Sequence, residues 1–170
     1  RLAVISNSGA TCVMAADAAA AQTLPLAEFS PATVRRCSDL LPSYASPTNP
    51  LDLTSTLMTQ GRLLTELMPA IGADPGVDNI LFGMTIAGEG YDVEGYSQVA
   101  ARTVADACKP LAIVASQPEI AAPFLARGLA VFADEAVAVS CIEQLVSHRR
   151  IAGTATSRDD HGSPAPRVAA

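Results

Sequence analysis

The sequence predicts an α/β domain built on a parallel sheet buried on both faces, and three observations predict it. Short, continuously apolar runs recur along the chain, helical stretches separate them, and turn residues sit where each run stops. At 170 residues with 49% apolar content, the chain is long enough to cover both sides of such a sheet as one domain.

Leu2 to Ser6 is the first apolar run, ending in the polar turn Asn7-Ser8-Gly9-Ala10, and the Ala-rich segment from Thr11 to about Gln22 has strong helix propensity. Leu24 to Phe29 reads as a second, weaker strand. Ser30-Pro31 supplies an N-cap and a first-turn proline for a helix to about Leu41. Pro42, Pro47 and Pro50 make residues 42–54 an extended loop. Leu63, Leu64, Leu67, Met68 and Ile71 share one helical stripe, stopped by Asp74-Pro75-Gly76.

Asn79 to Thr85 is the clearest buried strand, followed by the loop Ala87 to Tyr91 and a helix from about Asp92 to Cys108. Lys109-Pro110 introduces a fourth strand, Leu111 to Ala115; a short helix covers Glu119 to Arg127; Leu129 to Ala133 is the fifth strand. The last helix is expected from about Asp134 to His148, with Ala138, Cys141, Ile142 and Leu145 turned inward. Right-handed crossovers between such units give a three-layer flavodoxin-like sheet of five strands in the order 2-1-3-4-5. Residues 1–148 form that domain, and residues 149–170, rich in Gly, Ser, Thr, Asp and Pro, read as a linker or disordered tail. The opening, Arg1 followed directly by an apolar run, reads as a piece of a longer polypeptide.

Composition excludes several functions. A net charge of -6 with few paired basic residues disfavours nucleic acid as a partner. No uninterrupted apolar run reaches membrane-spanning length, so no membrane partner is expected and a cytoplasmic location is. The cysteines at 12, 37, 108 and 141 form no CxxC pair; no metal site is expected, and all four read as small buried hydrophobes. A hydrolase acting through Ser8 lacks GxSxG, and both histidines, His148 and His161, stand at the far end of the chain. Flavin binding finds few aromatic faces, and a phosphoacceptor receiver would need acidic residues where Ser6-Asn7 stand.

In open parallel sheets ligands bind beyond the carboxyl ends of the strands where the strand order reverses, here between the first and third. Asn7, Ser8, Gly9 and Ala10 stand there at a helix N-terminus, an arrangement suited to a phosphate or carboxylate; alternatively Asn7 and Ser8 only cap the helix. Asn49 and Asp52 lie in the proline-braced loop, where they hold the turn or support the site, and Glu89 either orients a partner's histidine or faces solvent.

The string Arg1 to Gly9, Ala16-Asp17-Ala18, Leu26 to Thr33, Leu41 to Thr54 with its Asn-Pro-Leu-Asp-Leu-Thr, Asp74-Pro-Gly-Val-Asp78 and Lys109-Pro110 resemble the succinyl-CoA synthetase superfamily. They are most similar to the flavodoxin-like CoA-ligase domain of ADP-forming acetyl-CoA and related acyl-CoA synthetases, the counterpart of the C-terminal domain of the succinyl-CoA synthetase β subunit. The resemblance implies an enzyme that converts acid, CoA and NTP to acyl-CoA, NDP and phosphate through an acyl phosphate and a phosphohistidine. It implies that Asn7, Ser8 and Gly9 form a phosphate-facing turn, that this domain carries no catalytic residue and is inactive in isolation, and that it binds no cofactor alone. CoA, NTP and Mg are expected for the whole enzyme, with CoA-binding, phosphohistidine and ATP-grasp domains as partners. Ala10 and Thr11-Cys12 depart from the Gly and Pro-Gly common in related chains, which points to the alternative of a non-catalytic regulatory or scaffold domain.

Overall fold

A computed structural model of the chain describes the backbone of residues 1–159 and the side chains through Ala152. Strands β1 (Leu2–Ser6), β2 (Leu51–Asp52), β3 (Asn79–Gly83), β4 (Leu111–Val114) and β5 (Ala130–Phe132) form one parallel sheet in the order β2-β1-β3-β4-β5. The helices are α1 (Gly9–Ala21), α2 (Pro31–Leu40), α3 (Thr56–Thr59), α4 (Leu63–Ala73), α5 (Val93–Ala107), α6 (Pro118–Leu125) and α7 (Glu135–Asp159). This is the predicted flavodoxin-like architecture.

Every residue of β1, β3 and β4 is buried because each of these strands turns alternate residues into opposite cores. Leu2, Val4, Leu81, Ala112 and Val114 face α1 and α7, where they meet Cys12, Ala15, Ala19, Ala138, Val139 and Ile142. Ala3, Ile5, Ile80, Phe82 and Ile113 face the other layer, where the predicted α4 stripe of Leu63, Leu64, Leu67, Met68 and Ile71 is buried together with Tyr96, Ala100, Ile120 and Phe124. The rings of Phe82 and Phe124 meet edge to face with centroids 6.1 Å apart.

The second strand of the sheet is not the segment expected. Leu24 to Phe29 touches β1 through a single bridge, Leu2 to Leu26, while Leu51–Asp52 pairs with Ile5 and Ser6. The Asn49 side chain explains the exchange. Its Oδ1 accepts from the Val4 N–H at 2.8 Å, and its Nδ2 donates to the carbonyls of Leu2 (2.8 Å) and Ala27 (2.9 Å). One amide thus stands in for a peptide unit between β1 and residues 24–29, so the ladder cannot extend there. The chain re-enters as β2 immediately after the cis bond Asn49-Pro50.

The short helix α3, where no element was expected, follows the proline-rich loop, and two further expectations are corrected. The last helix runs to Asp159 rather than stopping near His148, because no proline interrupts it before Pro164 and Gly153 is tolerated at a cost of about 1 kcal/mol. Residues 149–159 of the expected tail are therefore helical in backbone, and residues 160–170 lie outside the described residues. Cys12 and Cys37 are buried but Cys108 and Cys141 are exposed, and Leu145 is 38% exposed: both residues of α7 expected inside lean out past β5.

Several motif residues serve the scaffold. Asp74, 2% exposed, accepts backbone N–H bonds from Ser30 (2.8 Å) and Gly76 (2.7 Å), and the Lys109 ammonium donates to its carbonyl. Burial alone would raise the Asp74 pKa, yet bonds from Thr33, Ser30 and Gly76 outweigh it and hold the carboxyl below its usual range. A Cβ on Gly76 would stand 2.3 Å from the Glu28 carbonyl oxygen, so only glycine fits.

Candidate functional site at the start of helix α1

β1 delivers Ser6 and Asn7 to the carboxyl edge of the sheet, beside the end of β3, where Ser6 is in register with Gly83. Asn7 is buried and its amide binds the loop after β3: Nδ2 donates to the Ile86 carbonyl at 2.7 Å and Oδ1 accepts from the Thr85 N–H at 3.3 Å. Asn7 therefore staples the loop after β3 to the end of β1. The Ser6 hydroxyl, fully buried, accepts from the Ser8 N–H at 3.0 Å and fixes the turn.

Ser8 is the N-cap of α1 in extended conformation, and its side chain makes no capping bond. Its backbone carbonyl accepts from Cys12 N–H at 3.1 Å, the first bond of the helix. The N–H groups of Gly9, Ala10 and Thr11 thus precede the helical ladder and point out at its positive end, half-exposed at Gly9 and open at Ala10. No acidic side chain lies in the first turn. Of the two sequence readings for Ser8, capping by its side chain is not what the structure holds.

Two further residues border this turn: Gly83, which has no counterpart in the sequence reading, and Asp52, which was expected to hold its own turn or support the site. Gly83 abuts the helix start so closely that a Cβ there would lie 2.4 Å from Thr11 Cγ2 and 2.9 Å from Ser6 Oγ. The signal in the sequence was a glycine closing the strongest strand, a mark of close approach. Asp52 is the second. Its Oδ1 accepts from the Thr54 N–H at 2.8 Å, the turn-holding role expected, while its Oδ2 lies 2.9 Å from where a Gly9 Cβ would stand. A carboxylate beside the helix start opposes any second anion there. Together with burial, which contributes more, it pushes the Cys12 thiol up to about 12, so Cys12 is an apolar core residue and no nucleophile.

The remaining predicted residues separate. Asn49 lies in the scaffold described above, away from the turn. Glu89 is exposed on the loop after β3, whose Gly90 (φ +92°) packs against Met58. The site is thus Ser8, Gly9 and Ala10 with Asp52 beside them, held in place by Asn7 and Ser6. Among the described residues no three His, Cys, Asp or Glu side chains converge as metal ligands, and no helix is long and apolar enough to cross a membrane.

No protein-family model matches the chain. A stretch of 83 residues, 48% of this chain, is 34% identical to the ADP-forming acetate–CoA ligase II of Archaeoglobus fulgidus, and 84 residues, 49% of it, are 32% identical to ligase I of the same organism. Each match spans 12% of the relative's length. The fold aligns with a protein of Pyrococcus horikoshii OT3 (TM-score 0.76, 20% identity, 86% of this chain and 35% of that one). It also aligns with the dinucleotide-forming acetyl-coenzyme A synthetase 1 of Ca. Korarchaeum cryptofilum (TM-score 0.74, 23% identity, 88% of this chain and 33% of that one), a protein also solved with phosphate and ADP. Over about half its length, the chain is therefore a homologue of the ADP-forming acetate–CoA ligases.

Proposed function

We propose that the chain works as one domain of an NDP-forming acyl-CoA synthetase and that it presents the N-terminus of α1 to the phosphoryl group in transit. The observation that carries this reading is the uncapped start of α1 at the point where the strand order reverses. The amides of Gly9, Ala10 and Thr11, with the Ser8 hydroxyl, can surround a phosphate, and their position is fixed by Asn7 and Ser6 before any ligand arrives. The domain stabilises charge and performs no bond-making, so in this reading it has no turnover alone. Acid, CoA, NTP and Mg belong to sites on partner domains, including the one with the phosphorylated histidine.

A second reading, a non-catalytic scaffold or regulatory domain, is favoured by the Asp52 carboxylate beside Gly9. A hybrid protein separates the two. Residues 1–148 replace the matching segment of the Archaeoglobus ADP-forming acetate–CoA ligase II, and ATP formation from acetyl-CoA, ADP and phosphate is assayed. The synthetase reading expects activity that Gly9→Val abolishes. A folded, active hybrid indifferent to Gly9→Val would establish the scaffold reading.

A further inference from the structure

Asp134, which caps α7, and four residues of the helix, Val137, Cys141, Leu145 and His148, are all exposed and lie on one line. Their spacing of three, four, four and three residues follows the helical repeat, so they share a face roughly a third of a turn from the core-facing line of Ala138, Ile142 and Val146. The middle of the line is apolar: Val137 is 50% and Leu145 38% exposed, with Cys141 exposed between them. Beside Cys141 and Leu145, where α7 overhangs the edge strand β5, a groove of about 110 Å³ opens with Ala130 and Phe132 on its sheet side. Single exposed apolar side chains are ordinary, but an apolar strip continuous with an apolar groove marks a docking surface.

The line reads the same in both directions from Cys141. Val137 and Leu145 stand four residues to either side of it, and Asp134 and His148 seven. A two-fold axis through Cys141 that sets two copies of α7 antiparallel therefore brings each Val137 against the partner's Leu145 and each Asp134 against the partner's His148. The polar ends suit that register. Asp134 Oδ1 accepts from the Val137 N–H at 2.9 Å, while Oδ2 and the His148 ring make no bond among the described residues, so a ring N–H can donate to Oδ2 across the axis. Parallel copies would instead set Asp134 against Asp134.

We propose that this face of α7 pairs with the same face of a second copy of the chain, two-fold about Cys141, with the partner's Val137 filling the groove beside β5.

One helix face and one groove make a small interface, so association is weak and shows as a mass that rises with concentration. The test is sedimentation equilibrium of the reduced 170-residue chain up to about 1 mM. The expected mass moves from that of one chain toward that of two. Val137→Asp and Leu145→Asp, which bury a charge in the apolar strip, and His148→Glu, which faces Asp134, each weaken association about tenfold or more, while Gly9→Val leaves it unchanged. The substituted side chains are exposed, and unchanged circular dichroism confirms folded variants. In a Cys108→Ser background a short bismaleimide is expected to join two copies through Cys141. A single-chain mass at every concentration, a dimer indifferent to both aspartate substitutions, or crosslinking that survives Cys141→Ser would overturn the proposal.

Discussion

Replacing Asn49 by Ala removes one side chain and strands two backbone groups. Val4 N–H and Ala27 C=O lose their partner, while Leu2 C=O keeps the Ala27 N–H at 2.8 Å, and Val4 and Ala27 are 0% and 4% exposed. A buried backbone group left without a partner costs about 1–3 kcal/mol. Asn49 itself is only partly buried, so water reaches some of the vacated space and the low end applies, about 2 kcal/mol for the two groups together. For a chain of this size that lowers Tm by roughly 4–8 °C and moves the urea midpoint by about 1 M. Asn49→Asp, which keeps the acceptor for Val4 but points a carboxylate at two carbonyls, is expected to cost at least as much. Urea unfolding of both variants followed by circular dichroism is the assay. A midpoint for Asn49→Ala within about 0.5 kcal/mol of the parent would refute the claim that this amide substitutes for a peptide unit of the sheet.

Gly83→Ala places a methyl against Thr11 and Ser6, so it is expected to destabilise by about 1–3 kcal/mol and to shift the amide resonances of residues 8–12, read in a single NMR spectrum. The depressed pKa of Asp74 contributes stability present above the unfolded carboxyl pKa and lost as pH falls through the lower folded value. Asp74→Asn is therefore expected to lower stability at pH 7 by about 2 kcal/mol and to flatten the acid limb of the stability curve; an unchanged limb would remove Asp74 from the account. In the folded chain, iodoacetamide at pH 8 should label Cys108 and Cys141 and spare Cys12 and Cys37, whose thiols burial pushes up to about 12 and about 11; mass spectrometry after brief exposure reads this, with unfolded protein as the control.

The legible parts of the fold were those with a local signature. Apolar runs long enough to cross a sheet marked β1, β3 and β4, and Ser30-Pro31 announced α2 with a cap that the structure confirms through the bond from Thr33 N–H to Ser30 Oγ. β2 was illegible because two residues carry no period of their own and pair only through partners in β1, Ile5 with Leu51 and Ser6 with Asp52, far earlier in the chain. The alternation of Leu51 and Leu53, both fully buried, around Asp52 was the signal available. Cys141 and Leu145 were misplaced because a helical stripe fixes a direction, whereas the width of the sheet beneath fixes burial, and β5 is a short edge strand that α7 overhangs.

The turn itself was readable from Asn7 to Ala10, yet the division of labour within it was not. Asn7 and Asn49, both polar and both next to apolar strands, turn their amides onto backbone groups that lie 78 and 45 residues away in the chain. Asp52 was readable as a residue of this loop that could support the site, but its place against Gly9, where its charge opposes a second anion, depends on a contact between segments far apart in the chain.

The most direct test of the account is a phosphate titration of the chain read at the backbone amides of Gly9, Ala10 and Thr11. The account predicts saturable shifts confined to that turn, abolished by Gly9→Val and strengthened by Asp52→Asn, which removes the opposing charge and keeps the acceptor for Thr54 N–H. Absence of shifts there in the parent and in Asp52→Asn at tens of millimolar phosphate would contradict it and leave α1 as a structural helix.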